Sequence, residues 1–314
     1  MKNIVVIGGG TGTFTVLSAL KSFPDIHLSA IVSMMDSGGS TGILRDEYGV
    51  LPPGDIRRAL VALSESSDTL RSLFNYRFEG GGLSGHSFGN LFLAALEKTT
   101  GSFEKAVEEA SAILKVKGKV IPVTTDTCGL IAHLKDGSIV RGESKIDIPV
   151  SERAPIINME ISPEAIANPE ACRAIIEADL IIIGPGDIYT SIVPNLLVKG
   201  IPEAMKLSKG LKVYIGNIMT KKGETDGYSA KDMLSAVERF AGVGIFSFSI
   251  WNSLRPSQEI ANRYALEGAS FIEPPQEEIL SSSKIIILPL AKEGNFLRHD
   301  PEGNIGPAII SLVS

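Results

Sequence analysis

The chain has 314 residues, 44% of them hydrophobic and 21% charged, enough for one large or two modest domains whose core closes without disulfides or metals. A net charge of −6 with no block of Lys or Arg argues against a nucleic-acid groove, and two distant cysteines, Cys128 and Cys172, argue against a disulfide scaffold or a structural zinc site. No apolar run reaches the roughly 18 residues of a membrane span, and Met1-Lys2 opens no signal peptide, so the expected setting is a reducing cytoplasm.

Ile4-Val5-Val6-Ile7 is a short β-branched run, as for a strand buried on both faces of a parallel sheet. Glycines interrupt it over 8–13, and helical spacing resumes over 14–21. A second apolar run, 27–35, ends at Asp36, and the glycine-rich stretch 37–42 follows as an expected loop. This β-loop-α-β opening starts a doubly wound sheet. From 51 to 115 the pattern turns helical. Pro52-Pro53-Gly54 reads as a turn and Asp55 as the N-cap of a helix over 56–63. Further helices are expected over 67–74, over 88–98 behind a Ser87 cap, and over 103–114, where apolar residues recur at three and four.

Strand patterns return over 119–124. Segments 130–134 and 138–142 flank Asp136-Gly137 as a hairpin, expected to decorate one edge of the parallel sheet. Asn168-Pro169 opens a helix, and the apolar strand 180–183 ends in Gly184-Pro185-Gly186-Asp187. Strands are expected over 212–215, 245–250 and 285–288, with a capping box at Ser229 to Asp232 and a last helix over 307–313. The sum is a single α/β domain over 1–314 with a helical insertion near 51–115 and a hairpin insertion near 130–150.

The glycine loop after the first strand carries the clearest chemistry. A strand running through glycines into a helix leaves backbone N–H groups free at the positive end of that helix, and phosphate is their natural ligand. Thr11 and Thr13 offer hydroxyls. The loop lacks the Gly-Lys-Ser/Thr ending of a P-loop, and Thr13 stands where the dinucleotide fingerprint wants its third glycine. Asp36 ends the second strand, where dinucleotide enzymes place a ribose-binding carboxylate, so an NAD-binding oxidoreductase stays a weaker alternative. Ser37, Gly38, Gly39 and Ser40 form a second anion-friendly loop, and the 184–187 loop and Asn217 lie on the same strand-end rim.

Gly85-His86-Ser87-Phe88-Gly89 spells the nucleophile elbow of α/β-hydrolases, but no strand precedes it. Ser87 as a helix cap, Gly85 and Gly89 as close-packing positions and His86 as a loop donor to an anion fit better. The four histidines have no metal-ligand spacing, so no metal site is expected. Arg57, Arg58 and Arg298 are candidate phosphate partners.

Gly8-Gly9-Gly10-Thr11-Gly12, Asp36-Ser37-Gly38-Gly39-Ser40, Leu51 to Arg57, Gly85 to Asn90, Ile183 to Ser191 and Asn217-Ile218-Met219-Thr220, in that order, resemble the gluconeogenesis factor (YvcK-type) family of the CofD-like superfamily. 2-phospho-L-lactate transferase is the catalytic cousin in that superfamily. The resemblance implies a Rossmann-like three-layer, doubly wound, mostly parallel fold and a bacterial cytoplasmic protein that binds a nucleotide-sugar of the UDP-N-acetylglucosamine kind. It also implies a role in growth and cell shape on gluconeogenic carbon sources.

Carried over by motif, Gly9, Gly10, Thr11, Gly12 and Thr13 would hold the diphosphate, Asp36 with Ser37, Gly38, Gly39 and Ser40 one wall, and Gly184, Gly186 and Asp187 the opposite rim. Asn217 and Thr220 would contact nucleoside or sugar, with Tyr264 as a stacking ring and Arg298 as a phosphate partner. Two departures stand out. The family commonly has Asp-Asp-Gly-Gly-Ser where this chain has Asp36-Ser37-Gly38-Gly39-Ser40, and Gly-Ser-Leu-Tyr where it has Gly186-Asp187-Ile188-Tyr189. The expected function is that of a ligand-sensing regulator. The alternative is a transferase that moves a phosphate-linked group to an acceptor hydroxyl, with Asp36 as base and Mg²⁺ assisting the diphosphate. Protein partners and a homo-oligomer stay open.

Overall fold

The computed structural model describes residues 1–276, 279–280 and 282–313. In chain order its strands are β1 (Lys2–Gly8), β2 (Ile26–Val32), β3 (Lys119–Pro122), β4 (Gly129–Leu134), β5 (Ile139–Arg141), β6 (Ile156–Ser162), β7 (Leu180–Ile183), β8 (Leu211–Ile215), β9 (Phe248–Asn252), β10 (Ile279–Leu280) and β11 (Ser283–Leu288). Among the described residues, one sheet orders them β10-β11-β9-β8-β7-β1-β2-β3. Every pairing in it is parallel except β10 on β11 at the edge. The chain first winds outward from β1 through β2 to β3, then returns to the other side of β1 and winds through β7, β8, β9 and β11. The strand order therefore reverses between β1 and β7, and in such sheets ligands bind beyond the carboxyl ends of the strands at that reversal. This is a three-layer, doubly wound, Rossmann-like α/β fold.

The middle of the sheet is dry because its sequence leaves nothing polar to hydrate. Ile4 to Ile7 of β1 and all four residues of β7 are at most 1% exposed, the pattern of strands covered on both faces. Helices α1 (Gly10–Leu20), α2 (Gly39–Tyr48), α3 (Gly54–Leu63), α4 (Asp68–Asn75), α5 (Phe88–Thr100) and α6 (Phe103–Ile113) precede β3. The short α7 (Glu143–Asp147) follows β5. Serines cap α4, α5 and α6: Ser67, Ser87 and Ser102 accept the N–H of Leu70, Asn90 and Lys105. Asn168 caps the helix Pro169–Ile176, and Ser229 and Asp232 form the expected capping box.

Three expectations need correction. The 37–42 stretch is not all loop, because α2 starts inside it. Asp36 first closes a turn on the Gly38 N–H at 2.9 Å, and Gly49 ends the helix in the left-handed conformation that relieves its last carbonyls. Asp55 is no cap: α3 begins at Gly54 and the carboxylate points from its first turn to another element. The 130–142 hairpin forms as expected, but it does not sit on the edge of the parallel sheet. It joins β6, which sequence reading missed, in a separate three-stranded antiparallel sheet. Elsewhere the expected elements shift only in bounds, β9 starting at Phe248 and the last helix being Ile305–Ile310, but the helices Ile201–Leu207 and Gln258–Leu266 and the antiparallel pair Ala291–Glu293 and Leu297–His299 were not expected. No helix among the described residues is long and apolar enough to cross a membrane.

Candidate functional site

The carboxyl ends of β1 and β7 form the floor of a cleft of about 1100 Å³, with segments after β2, β8 and β9 as its walls. Gly9 to Gly12 lie along it where α1 begins, and Gly38, Gly39, Ser40 and Gly54 lie along it where α2 and α3 begin. The cap residues of these three helices, Gly9, Gly38 and Pro53, make no side-chain cap, in contrast to the serine caps of α4, α5 and α6, although the Asp55 carboxylate takes up the Gly10 N–H in the first turn of α1. Uncapped first turns leave backbone N–H groups at the positive pole of each dipole, which is an anion's preferred environment. The walls meet closely at Gly12, where an added Cβ would lie 2.0 Å from the Pro185 carbonyl oxygen, so only hydrogen fits.

The structure brings Gly9, Gly10, Thr11, Gly12, Asp36, Gly38, Gly39, Ser40, Gly186, Asp187, Asn217, Thr220, Tyr264 and Arg298 to this one cleft. It does not bring Thr13, Ser37 or Gly184 there. The Thr13 hydroxyl is buried and donates back to the Gly9 carbonyl at 3.2 Å. Ser37 donates its N–H to Glu143 and shares its hydroxyl with Ser144, tying α7 to the β2 side. Gly184 lies beneath, its N–H on the Ile7 carbonyl. Asn217 serves partly as a clamp, its side-chain amide pairing with both the N–H and the carbonyl of Gly186 at 3.1 and 2.9 Å. Tyr264 donates to the Leu297 carbonyl at 2.9 Å, and its ring meets Phe296 edge-on at 5.4 Å, with Arg298 over the same Phe296. His86 lies off the cleft, with Nδ1 3.1 Å from Ser40 Oγ.

Of the acidic residues that shape the field, sequence reading named Asp36 and Asp187 and missed Glu143, Asp147, Glu224 and the role of Asp55. Asp55 accepts the Gly10 N–H and an Arg58 Nη1 proton, both at 3.0 Å. Burial pushes its carboxyl up to about 6, with neighbouring Asp36 adding to the rise against the pull of Arg58. Glu143 rises to about 8, by burial first and then by Asp36. Asp36, Asp55 and Glu143 thus crowd one region with Arg58 as its hydrogen-bonded cation.

A second acidic group lies one turn along α7. Asp147, Asp187 and Glu224 have oxygens within 4.8 Å of one another, a spacing that would suit a metal ion. The Lys221 ammonium already sits among them, bonded to Asp147, 2.7 Å from Asp187 and 3.0 Å from Glu224. Burial opposes that charge, but the three carboxylates outweigh it and hold the ammonium protonated far above its usual range. Glu143 bonds Ser37, 106 residues away, and Lys221 bonds Asp147 and Asp187, 74 and 34 residues away, so apart from Glu224 three residues on from Lys221 their partners leave no local signal.

The model of the family described as 2-phospho-L-lactate transferase CofD matches residues 4–288. A gluconeogenesis factor of Halalkalibacterium halodurans is 44% identical over 304 residues, 95% of this chain and 93% of that protein. The gluconeogenesis factor of Bacillus subtilis (strain 168) is 42% identical, over 95% of this chain and 94% of its own. The crystal structure of a UPF0052 family member from Bacillus halodurans superposes with a TM-score of 0.93 at 42% identity, covering 98% of this chain and 99% of that one. Likeness of this extent runs through sheet, cleft and antiparallel sheet alike. The chain therefore belongs to the CofD family, among its gluconeogenesis factors.

Proposed function

We propose that this chain binds a nucleotide-sugar of the UDP-N-acetylglucosamine kind in its cleft and acts as a cytoplasmic, ligand-sensing regulator of growth and cell shape on gluconeogenic carbon. The observation that carries the reading is the convergence of three uncapped helix N-termini, those of α1, α2 and α3, on one cleft. Together they offer more N–H groups than a single phosphate can use, which suits a diphosphate. Tyr264, Phe296 and Arg298 would take the nucleoside. The names of the relatives support the regulatory role.

Mg²⁺ fits beside the diphosphate. Asp36 is close enough to raise the cost of charge on Asp55, and two carboxylates completed by ligand phosphates suit that ion. Bound there, it would neutralise phosphate charge. The Asp36 and Asp55 pair, together with the CofD family match, also favours a second reading, transfer of a phosphate-linked group. Asp36 would then take the proton of an acceptor hydroxyl as its oxygen bonds to phosphorus, and the nucleotide would leave with the bonding electrons.

Melting temperature across UDP-, GDP- and adenine-nucleotide ligands tests both readings, since a ligand selective for the folded state raises it. A rise with UDP-N-acetylglucosamine, with the ligand recovered intact after incubation with cell extract, supports sensing. Released nucleotide supports transfer. A response to NAD(H) in preference to UDP-sugars overturns both.

A further inference from the structure

Among the described residues Arg57 is a buried charge with no carboxylate hydrogen-bonded to it. It is 7% exposed, and its partners are neutral acceptors: Nε donates to Asn90 Oδ1 at 3.0 Å, and Nη1 to Asn75 Oδ1 at 2.6 Å and to the Phe74 carbonyl. Among the described residues no hydrogen bond uses Nη2. Two further guanidiniums stand close. Burial first, then Arg58 and Arg77, lower the Arg57 pKa to about 10 against the pull of the Asp55 and Asp36 carboxylates. Arg77 is exposed and spends one Nη1 proton on the Gly85 carbonyl, while Arg58 is held by Asp55. All three arginines line the cleft.

The segment that imitates a hydrolase elbow proves to be built around this arginine. Ser87 caps α5 rather than acting as a nucleophile. A Cβ on Gly89 would lie 2.6 Å from Arg57 Cδ and 2.6 Å from the Phe74 carbonyl oxygen, so the glycine makes room for the arginine stem. Asn90 holds the guanidinium from one side and reaches Ser40 and Thr41 from the other, joining it to the start of α2. A cation desolvated and aimed this deliberately, with like charges beside it, is compensated by an anion.

We propose that Arg57 and Arg77, with Arg58 at their edge, form an anion subsite on the β2 side of the cleft, across the switch point from Tyr264 and Arg298. It takes a phosphate monoester or a carboxylate, carried by a second ligand or by the far end of the first. The subsite extends the proposed function by giving the cleft a second recognition point. It rests on that reading only in treating the cleft as a ligand site.

The test uses inorganic phosphate and acetate as probes, titrated calorimetrically into the protein saturated with UDP. Phosphate or acetate binding that weakens at least 10-fold in Arg77→Glu, and by less than 2-fold in the remote exposed Arg173→Glu, supports the subsite. Whichever probe binds more tightly names the source of the anion. Arg77 is exposed, so its replacement leaves the fold intact, and Arg57→Lys provides a buried variant of equal charge that is expected to weaken binding without the planar fork. A crystal soaked with selenate should show an anomalous peak beside Arg57 Nη2. Equal loss in Arg77→Glu and Arg173→Glu, no binding of either probe, or a peak confined to Gly9 to Gly12 overturns the proposal. Failure of UDP-N-acetylglucosamine to bind would overturn the nucleotide-sugar reading alone, since the same titrations can be run without UDP.

Discussion

The two acidic groups at either end of α7 have the same composition in carboxylates and opposite treatment of their charge. At one end Asp147, Asp187 and Glu224 close around the Lys221 ammonium, and Thr190 and the Tyr189 N–H satisfy what is left of Glu224. At the other, Asp36, Asp55 and Glu143 hold themselves apart, and Arg58 reaches only Asp55. The fold carries its own counter-ion in the first group and leaves the second under-compensated beside three uncapped helices. The first therefore reads as structure and the second as a place prepared for something that arrives. It also follows that converging carboxylates alone would have selected the end that the Lys221 ammonium already fills.

The largest test of that contrast removes the internal cation. Lys221→Met strands the fully buried Glu224 among like charges and should cost about 3–5 kcal/mol in urea unfolding, with part of the loss recovered in the double variant Lys221→Met/Glu224→Gln. A cost below about 1 kcal/mol would show that the ammonium is no clamp.

Next comes pH. Asp55 titrates near 6 in the folded protein against 3.8 for the free group, so its burial favours the protonated form. Stability tied to it is full below about pH 4 and is lost as pH rises through 6, a loss on the order of 2–3 kcal/mol. Asp55→Asn should flatten that fall in chemical denaturation curves between pH 4 and 7.

A smaller effect on stability, with a complete one on binding, is expected of Gly10→Val. Gly10 has φ +66°, and a side chain there costs about 1–2 kcal/mol while placing its Cβ 3.4 Å from Ser191 Oγ and 3.7 Å from Arg58 Nη1 on the cleft lining. The protein should still fold but lose any melting-temperature response to UDP-N-acetylglucosamine. An unchanged response would remove the first loop from the site.

Glu143 shifts further than Asp55, to about 8 against 4.5 for the free group, but its side chain is only half-buried and solvent screens much of the effect on stability. Its contribution falls away as pH climbs from 4.5 through 8. Glu143→Gln should narrow the gap between the melting temperatures at pH 6 and pH 8 by about 2 °C.

What the sequence disclosed follows from the range of its signals. Glycines between an apolar run and a helical pattern mark strand ends locally, so the loops at Gly9, Gly38 and Gly186 were legible along with the sheet that carries them. Asp55 misled because an acidic residue after Pro-Pro-Gly has the local signature of a cap, and only the tertiary structure shows it reaching Gly10, 45 residues away. Lys221, Glu143 and Arg57 acquire meaning from neighbours on other elements. β6 hid because its exposed and buried residues alternate irregularly, Ile157 being exposed and Met159 buried.

The contact between Gly12 and the Pro185 carbonyl sets a limit on how the molecule can adapt. With only a hydrogen atom between the first turn of α1 and the loop after β7, the floor has no slack to yield in either direction. Any change in the width of the cleft must therefore come from other parts of its lining, such as the segment of Ile148 and Pro149.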